Sequence, residues 1–313
     1  MGVGPARTAG GLLLAALLAC GGPDGGYRTV SFQPAAENPA AGPQKEAIRL
    51  GMAPILSARA GGEGLTLLAE ALSRRLQRPV VPILGSDYRE VNAMLAYGQA
   101  EAGVVCTGAF SDPQLCERCD PLLVPLLEGT GPLYHGLVVV RKGAALRAFE
   151  DLEGKSFLFT DPLSLTGYLY PLSLLCERGR DPGSFFASVG FSHSHDRSLE
   201  EVARGSADGA AVDETVYLLW VRANPEKAQR LEVLLKSRDF PSPPVVVRKD
   251  LPAGDREALR RALVDLPGSP DGRAVLTAMG WTGFEEPDAA YLQRLQDLQG
   301  LFGRLHARRC LSP

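Results

Sequence analysis

One pattern occurs twice in this chain of 313 residues, and it constrains the fold more than any other feature. Ala96-Tyr-Gly-Gln-Ala-Glu-Ala-Gly-Val-Val105 and Ala203-Arg-Gly-Ser-Ala-Asp-Gly-Ala-Ala-Val212 share A-x-G-x-A-acid-small-small-x-V at a single spacing. In each copy the glycine stops a helix, and the small residues with valine start a strand. Counting back in register sets Tyr88 on His195, and counting forward sets Thr107 on Glu214. Agreement over so many positions marks an internal duplication, so two similar α/β lobes are expected.

The order of elements agrees with a duplication. In the first copy, 48–54 alternates as a strand and 63–76 carries a helical stripe of Leu65, Leu68, Ala69, Leu72 and Leu76. A second strand at 79–84, a helix at 91–96 and a third strand at 102–105 follow. After residue 150 the order returns, with strands at 156–160, 189–192 and 209–212 and helices at 168–177 and 199–203. Such alternation predicts mainly parallel sheets flanked by helices. The chain crosses between lobes at 134–141 and returns at 234–248, which assigns 45–136 plus 245–313 to lobe 1 and 137–244 to lobe 2. Stripes at Leu259, Leu263 and Leu266, and at Leu292, Leu295, Leu298 and Leu301, are expected to pack back onto lobe 1.

In open parallel sheets ligands sit beyond the carboxyl ends of the strands. Those ends are the Pro54 loop, Tyr88 and Cys106-Thr-Gly108 in lobe 1, and Ser164 to Gly167, His195 and Asp213-Glu214 in lobe 2. The stretch Phe157-Leu-Phe-Thr-Asp-Pro-Leu-Ser-Leu-Thr-Gly-Tyr-Leu-Tyr-Pro171 runs from a strand through a hydroxyl-bearing loop into a helix. It admits two readings: an ordinary capped helix with Ser164 or Thr166 as N-cap, or an anion cradle of free N–H groups and hydroxyls.

The amino terminus addresses the chain. A run of small and apolar residues at 10–19 is too short to span a bilayer and reads as an export signal over 1–20. Leu17-Leu-Ala-Cys20 looks like a bacterial lipobox, which puts a lipid on the Cys20 thiol. Residues 21–44, rich in Gly, Pro, Ala and Asn, read as a flexible tether. The folded part is therefore expected in the periplasm or on the outer cell surface, anchored to a membrane. A net charge of −3 without a basic run argues against nucleic acid. Five more cysteines follow, at 106, 116, 119, 176 and 310. Cys116-Glu-Arg-Cys119 has no second CxxC and no nearby His, so a structural bridge through Cys116 or Cys119 is expected rather than zinc or redox chemistry.

From about Ile48 to Leu266 the chain resembles the periplasmic binding proteins of ABC importers for phosphonate, phosphite and related phosphorus oxyanions. The resemblance is carried by Asp87-Tyr88 leading to Gly98-Gln-Ala-Glu-Ala-Gly103, Cys106-Thr-Gly-Ala-Phe110, Tyr134 with Val138-Val-Val-Arg141, and Phe149-Glu-Asp-Leu-Glu-Gly-Lys155. It continues through Asp161 to Pro171, His195-Asp196, Ala207 to Asp213, and Pro241-Ser-Pro-Pro-Val-Val-Val-Arg248. It implies a two-lobed periplasmic-binding-protein fold of type II, an ABC permease as partner, a monomer, and neither cofactor nor metal. Carried over residue by residue, it implies that Ser164, Thr166, Gly167 and Tyr168 hold the phosphorus oxygens. Tyr88, Thr107, Gly108, Tyr134 and His195 would close on the ligand, and Glu214 would meet a protonated oxygen or an amine. Leu165 departs from the pattern, standing where many members carry another hydroxyl, and the loop after Pro54 lacks an aromatic.

Other readings use the same residues. Ser164, His195 and Asp213 are the types a hydrolase needs, although no G-x-S-x-G elbow is present. His193-Ser-His195 offers a metal two nitrogens but no third ligand at a convincing spacing. A ligand sensor working through a membrane receptor would need the same cleft as a transport protein.

Overall fold

The computed structural model describes residues 46–307, so Cys20, the 21–44 segment and Cys310 lie outside the described residues. One mixed sheet contains β1 (Ile48–Met52), β2 (Val80–Leu84), β3 (Ala102–Val104), β4 (Cys119–Leu127), β12 (Val245–Arg248) and β13 (Trp281–Glu285) in the order β13-β4-β12-β3-β1-β2. A second contains β6 (Gly136–Arg141), β7 (Ser156–Phe159), β8 (Ser188–Phe191), β9 (Gly209–Asp213) and β10 (Leu231–Lys236) in the order β10-β6-β9-β7-β8. Between them β5 (Leu133–Tyr134) pairs antiparallel with β11 (Phe240–Pro241), Tyr134 opposite Phe240.

The duplication is visible strand for strand. β12-β3-β1-β2 and β6-β9-β7-β8 have the same order and the same senses of pairing. Three strands of each copy are parallel, as the strand–helix alternation requires, and the crossing strands β12 and β6 enter antiparallel. Both crossing strands read Val-Val-Val-Arg and both bury all three valines, as strands covered on two faces do.

Each letter of the repeated pattern has a physical task. Gly98 and Gly205 adopt φ of +76° and +83°, the left-handed conformation that ends a helix at low cost only for glycine. The acid that follows caps the first strand of its own lobe. Glu101 accepts the Arg49 N–H at 2.7 Å, and Asp208 accepts the Ser156 N–H at 2.8 Å. Ala100 and Ala207 are buried, so small side chains are required there.

The core of lobe 1 lies between its sheet and the helices Ala58–Leu76, Tyr88–Ala96, Ala253–Val264, Pro270–Met279 and Ala289–Ala307. The expected stripe of Leu259, Leu263 and Leu266 is buried in it. In the last helix Leu295 and Leu298 are buried but Leu292 is 40% exposed, and Tyr291 takes the inward place. Lobe 2 has a core on each face of its sheet, and β6 shows why: Leu137 and Val139 face one, Val138 and Val140 the other. Phe157, Phe159 and Phe186 fill the second, with Phe157 and Phe186 stacked at 4.5 Å. Leu165 and Leu169 leave lobe 2 altogether and are buried in the core of lobe 1. A hydroxyl at position 165 would be desolvated there, which accounts for the departure noted in the sequence.

The expected bridge through Cys116 or Cys119 is absent. Cys106, Cys116 and Cys119 are free thiols, and the disulfide-bonded cysteine is Cys176. Cys116 sits half-buried at the end of a single helical turn with its Sγ 3.6 Å from the Pro113 carbonyl, whereas Cys119 is drawn into β4 and buried. Among the described residues no helix is long and apolar enough to cross a membrane.

Candidate functional site

Tyr88 and His195, paired by the repeat, are each the first residue of a helix, Tyr88–Ala96 and His195–Arg204. Asp87 starts the first by accepting the Glu90 N–H at 2.7 Å. The two side chains meet across the lobes, Tyr88 Oη 3.4 Å from His195 Nε2, and both are buried. The main-chain N–H of Asp213 donates to His195 Nδ1 at 3.1 Å. A main-chain N–H can only donate, so Nδ1 is bare and the neutral ring carries its hydrogen on Nε2. Thr160, 3.0 Å from the same nitrogen, gives its own hydrogen to the Ala211 carbonyl. Burial pushes the His195 pKa down to about 3, so the ring stays an uncharged donor. Burial, followed by the neighbouring Cys106, Asp161 and Asp213, holds the Tyr88 hydroxyl well above its ordinary range, and Ser164 beside it works the other way. Tyr88 can thus accept from His195 and pass its own hydrogen onward.

The loop after β7 is tied to both lobes. Asp161 accepts the Leu163 N–H at 2.8 Å and the Tyr88 N–H at 3.3 Å. The chain then makes a π turn, Leu165–Leu169, with the Leu169 N–H reaching back to the Ser164 carbonyl at 3.0 Å, before the helix Tyr170–Glu177. Ser164 Oγ accepts the Gly167 N–H at 3.0 Å, so the capping reading holds, yet its O–H remains available as a donor. Gly167 admits no side chain here, because a Cβ would lie 2.6 Å from Thr160. Thr166 Oγ1 and Tyr134 Oη are buried without a hydrogen-bond partner among the described residues. Thr166 lies against the crossing strand, 3.3 Å from where a Cβ on Gly136 would be. Burial, followed by the neighbouring Cys106 and Asp213, holds the Tyr134 hydroxyl well above its ordinary range, and Thr107 beside it works the other way. Buried hydroxyls left unpaired cost about 1–3 kcal/mol each, so each of these two has a hydrogen to offer an acceptor.

Of the residues singled out in the sequence, Tyr88, Tyr134, Ser164, Thr166, Gly167 and His195 come together at this spot. Thr107 borders it but spends its hydroxyl on the Pro241 carbonyl at 2.9 Å. Gly108 packs against the backbone of the other lobe: a Cβ would lie 2.4 Å from the Leu163 carbonyl and 2.7 Å from the Leu165 nitrogen. Tyr168 points away, its ring 5.0 Å from Phe159 and 5.3 Å from Phe191. Glu214 also turns elsewhere, binding His135 at 2.5 Å and Lys236 at 2.7 Å, while the other His135 nitrogen meets Asp239 at 2.7 Å. That cluster braces the crossing rather than the cradle.

The sequence placed Cys106 and Asp213 at ligand-facing strand ends but assigned no contact to Cys106, Thr160 or Asp161, and gave Asp213 a named task only in the hydrolase reading. The signal for Asp213 lay in the repeat, whose register pairs it with Cys106 at the ends of equivalent strands. One Asp213 oxygen caps the helix Glu214–Ala223, accepting from Thr215 at 2.7 Å and Val216 at 3.1 Å. Burial pushes its pKa up to about 6. His195 is oriented by the Asp213 main chain and not by its carboxylate, so the hydrolase triad is not assembled. Among the described residues no group of three His, Cys, Asp or Glu could hold a metal, and His193 stands exposed with φ of 62°.

Duplicated α/β lobes joined by paired crossing strands, with neutral donors facing one another between them, define a solute-binding protein of the periplasmic-binding-protein fold. Residues 50–292 match the family described as "ABC transporter, phosphonate, periplasmic substrate-binding protein", and the chain belongs to that family. It is similar to the phosphonates-binding periplasmic protein of Escherichia coli K12, 26% identical over 53% of this chain and 50% of the relative. The chain thus spans about half the length of that curated relative. Among solved structures it is similar to a binding protein component of an ABC phosphonate transporter from Pseudomonas aeruginosa. That likeness has a TM-score of 0.77 at 20% identity, covering 84% of this chain and 88% of that one. A second is PhnD1 from Prochlorococcus marinus in complex with methylphosphonate, with a TM-score of 0.73 at 18% identity, covering 83% and 98%.

Proposed function

We propose that this chain captures a phosphorus oxyanion, a phosphonate, phosphite or phosphate, between its lobes and hands it to an ABC permease. The observation that carries the reading is the pair of buried, unpartnered hydroxyls of Thr166 and Tyr134, set beside a neutral His195–Tyr88 donor pair and the Ser164 loop. Several weak donors without a full positive charge suit a tetrahedral oxyanion, because each oxygen takes more than one hydrogen bond and none is held too tightly to release. The likeness to a methylphosphonate-binding structure supports the same ligand class. On this reading the lobes are 45–136 plus 245–313 and 137–244, and the protein works as a monomer held by a lipid on Cys20 at a bacterial membrane. It binds without turnover, since nothing orients His195 as a base toward Ser164. Calorimetry with phosphite, methylphosphonate, phosphate and sulfate tests the function. Micromolar or tighter binding of at least one phosphorus anion, without product release, is expected, and binding of none of them overturns the ligand class.

A further inference from the structure

The register that sets Tyr88 upon His195 also sets Ser57 upon Ser164, so the loop after β1 is the counterpart of the loop after β7. Both serines are N-caps, Ser57 of the helix Ala58–Leu76 and Ser164 of the π turn. They differ in what they hold. Ser164 Oγ accepts the Gly167 N–H, whereas Ser57 makes no side-chain cap bond among the described residues, and its helix has no acid in the first turn. The positive end of that helix is met from the other lobe instead. Asp196 Oδ1 accepts the Ser57 N–H at 2.7 Å, and beside it the main-chain N–H of His195 donates to the Ile55 carbonyl at 3.2 Å. A carboxylate at a helix start gains from the macrodipole and from the main-chain donor together.

The lobes lean on each other reciprocally but not equally. Tyr88, at the start of its helix in lobe 1, donates its main-chain N–H to Asp161 in the lobe 2 loop, as His195 donates to Ile55 in the lobe 1 loop. The next residue is where the copies part, Arg89 in lobe 1 and Asp196 in lobe 2. A position that is basic in one copy and acidic in the other does not serve the backbone that both share. Arg89 is exposed and makes no ion pair among the described residues. Asp196 is half-buried, and the N–H it binds belongs to the opposite lobe. Its hydrogen bond therefore lasts only while the two lobes face each other.

Resting on the reading that the solute is held between the lobes, we infer that Asp196 is a positioning residue that latches them shut, its carboxylate engaged by the lobe 1 helix start and not by the solute. Calorimetry and dissociation kinetics with phosphite, methylphosphonate and phosphate test it. Asp196→Ala should weaken every anion that binds by one common factor, roughly tenfold or more, that of a hydrogen bond to a charged group. The loss should appear as faster dissociation, with association within about twofold of the unmodified rate. Ser57→Pro removes the donor at a φ of −54°, an angle proline itself takes, and should cost the same factor. The double variant should then cost no more than either alone, and Asp196→Asn, which keeps an acceptor oxygen, should recover part of the loss. Ligand-free unfolding midpoints should stay within about 2 °C of the unmodified protein, the scale of one charge at a helix end. Unchanged affinity in Asp196→Ala, losses that differ between anions, additive losses in the double variant, or a larger fall in the ligand-free midpoint would each overturn the inference, while binding by the unmodified protein still upholds the oxyanion reading. Failure of every phosphorus anion to bind overturns that reading instead. The latch is then read without solute by small-angle scattering, where Asp196→Ala should have the larger radius of gyration and an equal radius overturns the latch as well.

Discussion

Thr166→Val separates the cost of the cradle from its use. The substitution keeps the β-branched shape within the π turn and removes only the hydroxyl, which is 1% exposed as a residue and lacks a partner among the described residues. A buried unpaired hydroxyl costs about 1–3 kcal/mol, so the ligand-free variant should be more stable by about 1 kcal/mol. For a protein of this size that raises the thermal midpoint by roughly 1.5–2 °C. With ligand the sign reverses. A hydrogen bond to a charged oxygen is worth about 1.5–3 kcal/mol, so the oxyanion should bind roughly 10- to 150-fold more weakly. Differential scanning fluorimetry without ligand and calorimetry with methylphosphonate read the two effects on one preparation. A midpoint below that of the unmodified protein together with affinity within twofold of it would refute the reasoning, because the hydroxyl would then be serving the fold. Tyr134→Phe should behave in the same way, and the double variant should lose less than the sum if both hydroxyls serve one oxygen.

Three further outcomes are expected. Gly108→Ala would drive a methyl into the backbone at Leu163 and Leu165 of the other lobe, so it should weaken every ligand at least tenfold, with a much smaller change in the thermal midpoint. Calorimetry across the ligand panel checks this, and a loss confined to one ligand would contradict it. Iodoacetamide should label Cys106, Cys116 and Cys119 in denatured, unreduced protein and Cys176 only after reduction, as peptide mass spectrometry would show. Stability against pH carries two opposed slopes. His195, depressed from 6.5 to about 3, contributes stability above 6.5 that is lost on acidification through its folded value. Asp213, raised from 3.8 to about 6, contributes stability below 3.8 that is lost as pH rises through its folded value. Between about 4 and 6 the two cancel. Asp213→Asn keeps an N-cap and should uncover a loss of about 1.4 kcal/mol per pH unit of acidification in that window, read by urea unfolding; an unchanged slope would refute the assignment.

The parts of this molecule legible in the sequence are those that repeat, and the parts that were not legible are where the two copies diverge. Gly98 and Gly205, Glu101 and Asp208, and the two Val-Val-Val-Arg strands serve the backbone of each lobe, and backbone demands are the same in both copies. Tyr88 and His195 keep equivalent places but not equivalent chemistry, and they were found because the register set one upon the other. Beyond them, side-chain direction decides, and spacing carries no record of it. Thr107 and Glu214 also match in register, yet one reaches the Pro241 carbonyl and the other reaches His135 and Lys236. Tyr168 stands one residue beyond Gly167 in the loop after β7, but the wider π turn carries its ring to Phe159 and Phe191. Cys106 and Asp213 show the same divergence. The lobe 1 copy ends its strand in a neutral thiol, which burial raises to about 11. The lobe 2 copy ends in a carboxyl group that burial raises to about 6 and that caps the helix Glu214–Ala223.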